Sequence, residues 1–195
     1  MSEGVIKFNC KWIKDKPLQL SLLNDIIHWR NHLFALNFIG IGQDGIGYGN
    51  ISIRYKSNQF IISGSQTGNK EIADENDFTL VTFFALEKNL IHCKGPVQAS
   101  SESLTHAAIY SACEEANAVL HIHNLKIWNE LKNKIPTTPE YAEYGTSELA
   151  NEIIKLFESS DIIKHKILVM GGHPEGIISF GKNLEEAFQI LEKYM

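Results

Sequence analysis

Cysteine is scarce in this chain: three in 195 residues, Cys10, Cys93 and Cys113, widely spaced and odd in number. No CxxC pair occurs, so no disulfide framework is indicated and a reducing, cytoplasmic setting is expected. Cys10 and Cys113 read as core residues and Cys93 as a strand residue. Long apolar runs are missing too. None approaches the roughly 20 residues that a helix needs to cross a bilayer. The opening MSEGVIKFNC has no basic-then-apolar leader pattern, so no membrane partner is expected. Positive charge is in deficit, with 18 Lys and Arg against 23 Asp and Glu and a net charge of −5. Nothing supplies the electrostatic footprint of a nucleic-acid binder, and none is expected as a partner. A local pocket for a small phosphate is compatible with that balance. Repeats, low-complexity tracts and linker-like stretches are also lacking, which makes residues 1–195 one expected domain.

What is present has the composition of an ordinary globular protein, 44% hydrophobic and 21% charged. VIKFNCKWI (5–13) alternates like a strand. From Leu18 to about Phe38 apolar residues recur at helical spacing, and the glycine-rich GIGQDGIGYGN (40–50) is expected to end that helix. NISIRY (50–55) and QFIISGS (59–65) alternate on either side of the turn KSN, and 78–95 reads as a second hairpin. A helix is predicted from Ser101 to Glu115, then a strand over 118–123 and helices over 125–133 and 146–158. Strands KILVMGG and GIISFG follow, and a last helix starts at Asn183, where Glu186 three residues on completes an N-cap and glutamate pattern. Hairpins and helices mix without steady alternation. That indicates an α/β protein of the α+β type, with a mostly antiparallel central sheet covered by helices. Gly40, Gly42 and Gly45 satisfy GxGxxG, but a dinucleotide site needs that motif between a strand and the helix it opens. Here a helix precedes it and strands follow. Loop flexibility or close approach of backbones explains these glycines better.

NAVLHIHN (117–124) poses a sharper question, because a strand that otherwise reads as core carries two histidines one residue apart. Side chains alternate along a strand, so His121 and His123 share a face, close enough for both rings to lean onto one ion. A half-exposed pair on an edge strand is the plainer alternative. Ser100 and Ser101 precede the 101–115 helix, where hydroxyls and free N–H groups either cap the helix or receive an anion. Glu102 and His106 lie four apart on one helix face. Glu102 has three open roles: surface carboxylate, metal ligand or general base. His106 reads as a core histidine bonded to a carbonyl. His173 sits in GGHPEG, either as a turn residue or as the third imidazole that a catalytic zinc-type site needs. His28, His32, His92 and His165 have no such constellation.

Together GYGNISIR, SGSQTG, SSESLTHAAIYSACEEANAVLHIHN and GGHPEGIISFGKNLEEAFQIL resemble the class II aldolase/adducin family, whose members include sugar-phosphate aldolases and epimerases. The resemblance runs over roughly 20–192, in the family's motif order. It implies a three-layer α/β/α fold, with His121, His123 and His173 as ligands of Zn2+ or another divalent metal. It implies Glu102 as acid/base, Asn50, Thr67, Gly68, Ser100 and Ser101 as the substrate-phosphate pocket, and a homotetramer with active sites between subunits. The implied substrate is a small phosphorylated sugar. The implied reaction is carbon–carbon cleavage of a phosphorylated ketose through a metal-stabilised enediolate. Glutamate rather than aspartate after the two serines leans toward aldolase over epimerase; an epimerase or dehydratase and a non-catalytic adducin-like module are the alternatives. The stretch 124–143 before YGT is short and holds no match to the tyrosine that acts across an interface in the sugar-phosphate aldolases, Tyr141 and Tyr144 lying nearby without a firm alignment.

Overall fold

Alternating apolar residues and turn signals translate into ten strands and six helices among the described residues. A computed structural model describes residues 4–43 and 45–195. In chain order the elements are β1 (Asn9–Lys14), α1 (Leu20–Ala35), β2 (Gly40–Ile41), β3 (Gly47–Tyr48), β4 (Asn50–Lys56), β5 (Gln59–Ser63), β6 (Phe78–Ala85), β7 (Leu90–Gly95), α2 (Ser103–Ala112) and β8 (Ala118–His123). Then come α3 (Leu125–Leu131), α4 (Ser147–Ser159), α5 (Ile162–His165), β9 (Ile167–Val169), β10 (Gly176–Gly181) and α6 (Leu184–Glu192). Eight strands form one sheet in the order β1-β7-β6-β5-β4-β8-β10-β9, and β2 pairs only with β3. All neighbours in the large sheet are antiparallel except β1 with β7. This is the mixed fold with a mostly antiparallel sheet that the element pattern predicts.

Strand alternation divides the apolar residues into two cores. Phe60, Ile62, Val119, Ile178 and Phe180 join Leu104 and Ala108 of α2 and Leu149 and Ile153 of α4. Their chain neighbours Ile61, Leu120, Ile122 and Ile177 join Leu23, Ile26 and Leu33 of α1 and Phe188 and Leu191 of α6. A one-residue slip of β8 would expel Leu120 and Ile122 and drive two imidazoles into their place. Each such aliphatic side chain contributes about 1.5–3 kcal/mol when buried, so the register is firmly held. His121 and His123 therefore share the face of Val119, toward α2 and α4.

Several element ends differ from the sequence reading. α1 stops at Ala35, before the glycines, because Asn37 takes the left-handed conformation (φ 57°) and its N–H bonds the Phe34 carbonyl. α2 is shorter than 101–115: Glu102 occupies the N-cap position, and Cys113 is already extended. The first strand starts at Asn9 rather than Val5. At α6 the Asn183 side chain accepts from the Glu186 N–H (2.8 Å), but the Glu186 carboxylate accepts from Lys182 N–H and from the Lys166 ammonium. The cap is thus only half reciprocal. Cys10 and Cys113 are half-buried at the edge of a core rather than within it, and Cys10 Sγ lies 3.8 Å from Cys93 Sγ. Among the described residues, no helix is long and apolar enough to cross a membrane.

Candidate metal centre and adjoining pocket

The β8 ladder sets the first two imidazoles. β8 lies between β4 and β10, with Asn50 opposite His121 and Gly176 opposite His123. The third arrives from the turn that leads into β10. There the Met170 carbonyl accepts from the His173 N–H, the His173 carbonyl accepts from the Gly176 N–H, and Glu175 takes φ 69°. Gly171 and Gly172 press so tightly on the 138–142 backbone that a Cβ on either would overlap its carbonyl oxygens. These contacts fold His173 back over β8. His121, His123 and His173 are 1%, 8% and 5% exposed, and one nitrogen of each lies within 4.8 Å of the others. His123 Nε2 is 3.0 Å from His173 Nε2.

This donor set fits a divalent cation. Two neutral imidazole nitrogens facing each other at that separation hold at most one proton between them, whereas a cation satisfies both lone pairs. His121 Nε2 is buried with no hydrogen-bond partner. Burial, reinforced by the neighbouring His123, His173 and His106, holds the His121 pKa well below the usual histidine range, so its ring stays neutral and able to ligate. On the far side of the first two rings sit polar partners: Asn50 Nδ2 is 3.2 Å from His121 Nδ1, and Glu175 Oε2 is 3.9 Å from His123 Nδ1.

A polar pocket opens beside the histidines, lined by Asn50, Gly68, Ser100, Ser101, Glu102, His121 and His173 among others. Glu102, 3% exposed, stands at the start of α2, where the positive end of the helix favours a carboxylate. Its Oε2 accepts from Thr105 Oγ1 at 2.6 Å, which fixes the side chain. The Ser100 hydroxyl accepts from the Glu102 N–H at 3.3 Å and the Ser100 carbonyl from the Ser103 hydroxyl at 2.6 Å, while Glu102, in the N-cap position, makes no side-chain cap bond. Gly68 lies so close to the β2–β3 hairpin that an added Cβ would come 2.7 Å from the Gly40 carbonyl oxygen. Close approach is thus the role of two glycines flanking the site, one of them in the GxGxxG stretch. Thr67 differs from the other pocket candidates. Its hydroxyl donates to the Gly64 carbonyl at 2.9 Å, and its side chain does not line the pocket.

Three contributors had no role assigned from the sequence. Tyr48 stacks on His123 and Tyr144 on His173, with ring centroids 5.1 and 5.0 Å apart. Both line the pocket, and both stand beside a glycine in motifs singled out from the sequence, GYGN and YGT. Gly145 (φ 68°) brings Tyr144 in, since its Cα faces the Ser101 carbonyl, where a Cβ would sit at 2.6 Å. The third is Arg30. It occupies the buried stripe of α1, and its guanidinium donates to the Thr67, Gly68 and Glu71 carbonyls. His106 is buried as expected, but its Nδ1 partner is the Ser52 hydroxyl at 2.6 Å rather than a carbonyl. Ser52 in turn meets the Tyr110 hydroxyl at 2.7 Å.

The family described as Class II Aldolase and Adducin N-terminal domain matches residues 36–194. No curated protein matches the chain. Among solved structures, an L-fuculose 1-phosphate aldolase is 20% identical with a TM-score of 0.68, covering 91% of this chain and 82% of its own. The L-fuculose-1-phosphate aldolase of Thermus thermophilus is 21% identical with a TM-score of 0.63, covering 90% and 91%. A sugar-phosphate aldolase from Thermotoga maritima is 15% identical with a TM-score of 0.65, covering 90% of each chain. At these identities the likeness is one of fold.

Proposed function

Because the chain belongs to the class II aldolase and adducin N-terminal domain family, we propose that it is a metal-dependent aldolase cleaving a small phosphorylated ketose. The whole chain is read as one three-layer α/β/α domain. The observation that carries the reading is the convergence of three buried imidazoles, two of which, His121 and His173, line one polar pocket together with the buried Glu102 carboxylate. A divalent cation, zinc by preference for three histidines, supplies electrophilic polarisation of a hydroxy-ketone's oxygens when bound. His121, His123 and His173 hold it.

The chain's own groups do the rest. Ser100, Ser101 and Gly68 receive the phosphate, and Thr67 braces the loop that carries Gly68 through its bond to Gly64. Gripping the phosphate end fixes the reacting end. In the cleavage direction the bond beyond the carbon next to the carbonyl breaks, its electron pair stays on that carbon, and the adjoining hydroxyl gives its proton to water as the aldehyde forms, Glu102 drawing its own proton from the same water. Glu102 delivers a proton to the carbon, and in the synthetic direction removes it. Its fixed position at the head of α2 suits that task. Retention of all three histidines and of Glu102 argues against a non-catalytic adducin-like module.

Incubation of zinc-loaded protein with ketose 1-phosphates tests the proposal. Release of dihydroxyacetone phosphate and an aldehyde is expected. An epimerised or dehydrated product would move the assignment to another reaction of the family, and no turnover of any such ester would overturn it.

A further inference from the structure

Asn50 faces His121 directly across the β4–β8 ladder, and the contact between their side chains can be made in two ways. A neutral imidazole carries one N–H, so one ring nitrogen donates and the other accepts. With Asn50 Nδ2 at 3.2 Å from Nδ1, Nδ1 accepts and Nε2 carries the hydrogen. Nε2 and Asn50 Oδ1 are then both buried polar atoms without a hydrogen-bond partner. Turning the carboxamide by 180° exchanges Oδ1 and Nδ2 and leaves the rest of the side chain where it was. Oδ1 then accepts from Nδ1–H, and Nε2 keeps a bare lone pair for the three-histidine cluster. Both side chains are buried, at 6% and 1% exposure, so the choice is made inside the protein rather than by bulk water.

We propose that Asn50 is a positioning residue for the metal centre: its amide oxygen holds His121 as the Nδ1–H tautomer and presents Nε2 to the cation. This rests on the metal reading above and gives Asn50 a task other than gripping phosphate. It also accounts for the residue type. An orienting partner raises the basicity of a ligating histidine, and an amide does so without adding a negative charge that would offset the cation's pull on substrate.

Zinc titration against a competing chelator, on intact wild-type, Asn50→Ala and Asn50→Asp proteins, tests this. Asn50→Ala is expected to bind zinc roughly 10–100-fold more weakly. Asn50→Asp should bind at least as tightly as wild type, because a carboxylate at that position only accepts. Nitrogen-15 spectra of the imidazoles give the second readout. His121 Nδ1 should be protonated in zinc-loaded wild type and in metal-free Asn50→Asp. Undiminished affinity in Asn50→Ala, equal losses in both variants, or an unprotonated Nδ1 in the loaded protein would overturn the role of Asn50 alone. A wild type that takes up no zinc would overturn the metal reading and this inference with it. Should Asn50→Ala not fold, the wild-type and Asn50→Asp spectra decide.

Discussion

Under the proposed function Glu102 and the histidines divide their labour, and variants should separate them. Glu102→Gln keeps the shape and the bond from Thr105 Oγ1 while removing a group able to shuttle protons. It should retain stoichiometric zinc by elemental analysis and lose at least about 100-fold in turnover. His173→Ala should lose zinc itself, since it takes away one of three donors. Equal turnover in Glu102→Gln would dismiss this carboxylate as the base. These four residues were legible in the sequence because their chemistry is explicit: a period-two histidine pair, a distant histidine between glycines, and a carboxylate at a helix start. Tyr48 and Tyr144 were harder to see. Their part is to stack on imidazoles, and aromatic residues beside glycines occur throughout any core. Thr67 illustrates the reverse, a polar residue in a matching motif whose hydroxyl is turned to its own loop.

At the level of elements, the loop beside the pocket is held by a helix on the other side of the sheet. Arg30 is 1% exposed and donates to three carbonyls of the 67–71 stretch. Burial lowers its pKa from the ordinary arginine value, but the nearby Asp77 and those carbonyls suit the charged form. Arg30→Met fills much of the space yet strands the carbonyls, each at a cost of about 1–3 kcal/mol if no water replaces the donor. Chemical denaturation should give a loss of about 2–5 kcal/mol, and the binding of a ketose phosphate should weaken beside it. A variant as stable as wild type would refute this bracing role. The helix was legible from its period, but Arg30 was not: a cation within an apolar stripe reads as an interruption until the carbonyls it meets are known. Element ends were missed for local reasons. Asn37 ended α1 by adopting a left-handed backbone, which a side-chain pattern does not encode.

Across the whole molecule, acid sensitivity has an identifiable source. His106 ties α2 to β4 through Ser52, and burial takes its pKa from 6.5 to about 3. The unfolded chain takes up a proton there below about pH 6.5, whereas the folded chain does so only near 3. Stability is therefore full above 6.5 and declines as pH falls through that window, by about 1.4 kcal/mol per pH unit from this group. His121, shifted the same way, adds to the decline. In thermal melts of metal-free protein, His106→Gln should lose less stability between pH 7 and pH 5 than wild type; equal losses would mean that burial does not lower the pKa of this ring. Strand order was the part of the fold least visible beforehand. Alternation tells which residues share a face but not which strands are neighbours, and pairs such as Asn50 with His121 or Trp12 with Cys93 join distant parts of the chain. The 3.0 Å approach of His123 to His173 joins positions fifty apart in the same way. An ion seated there is a removable rivet between a central strand and a surface turn. Stripping it with a chelator should lower the melting temperature and speed amide exchange over 170–176 before the sheet itself loosens; unchanged exchange in that turn would mean that it closes without help.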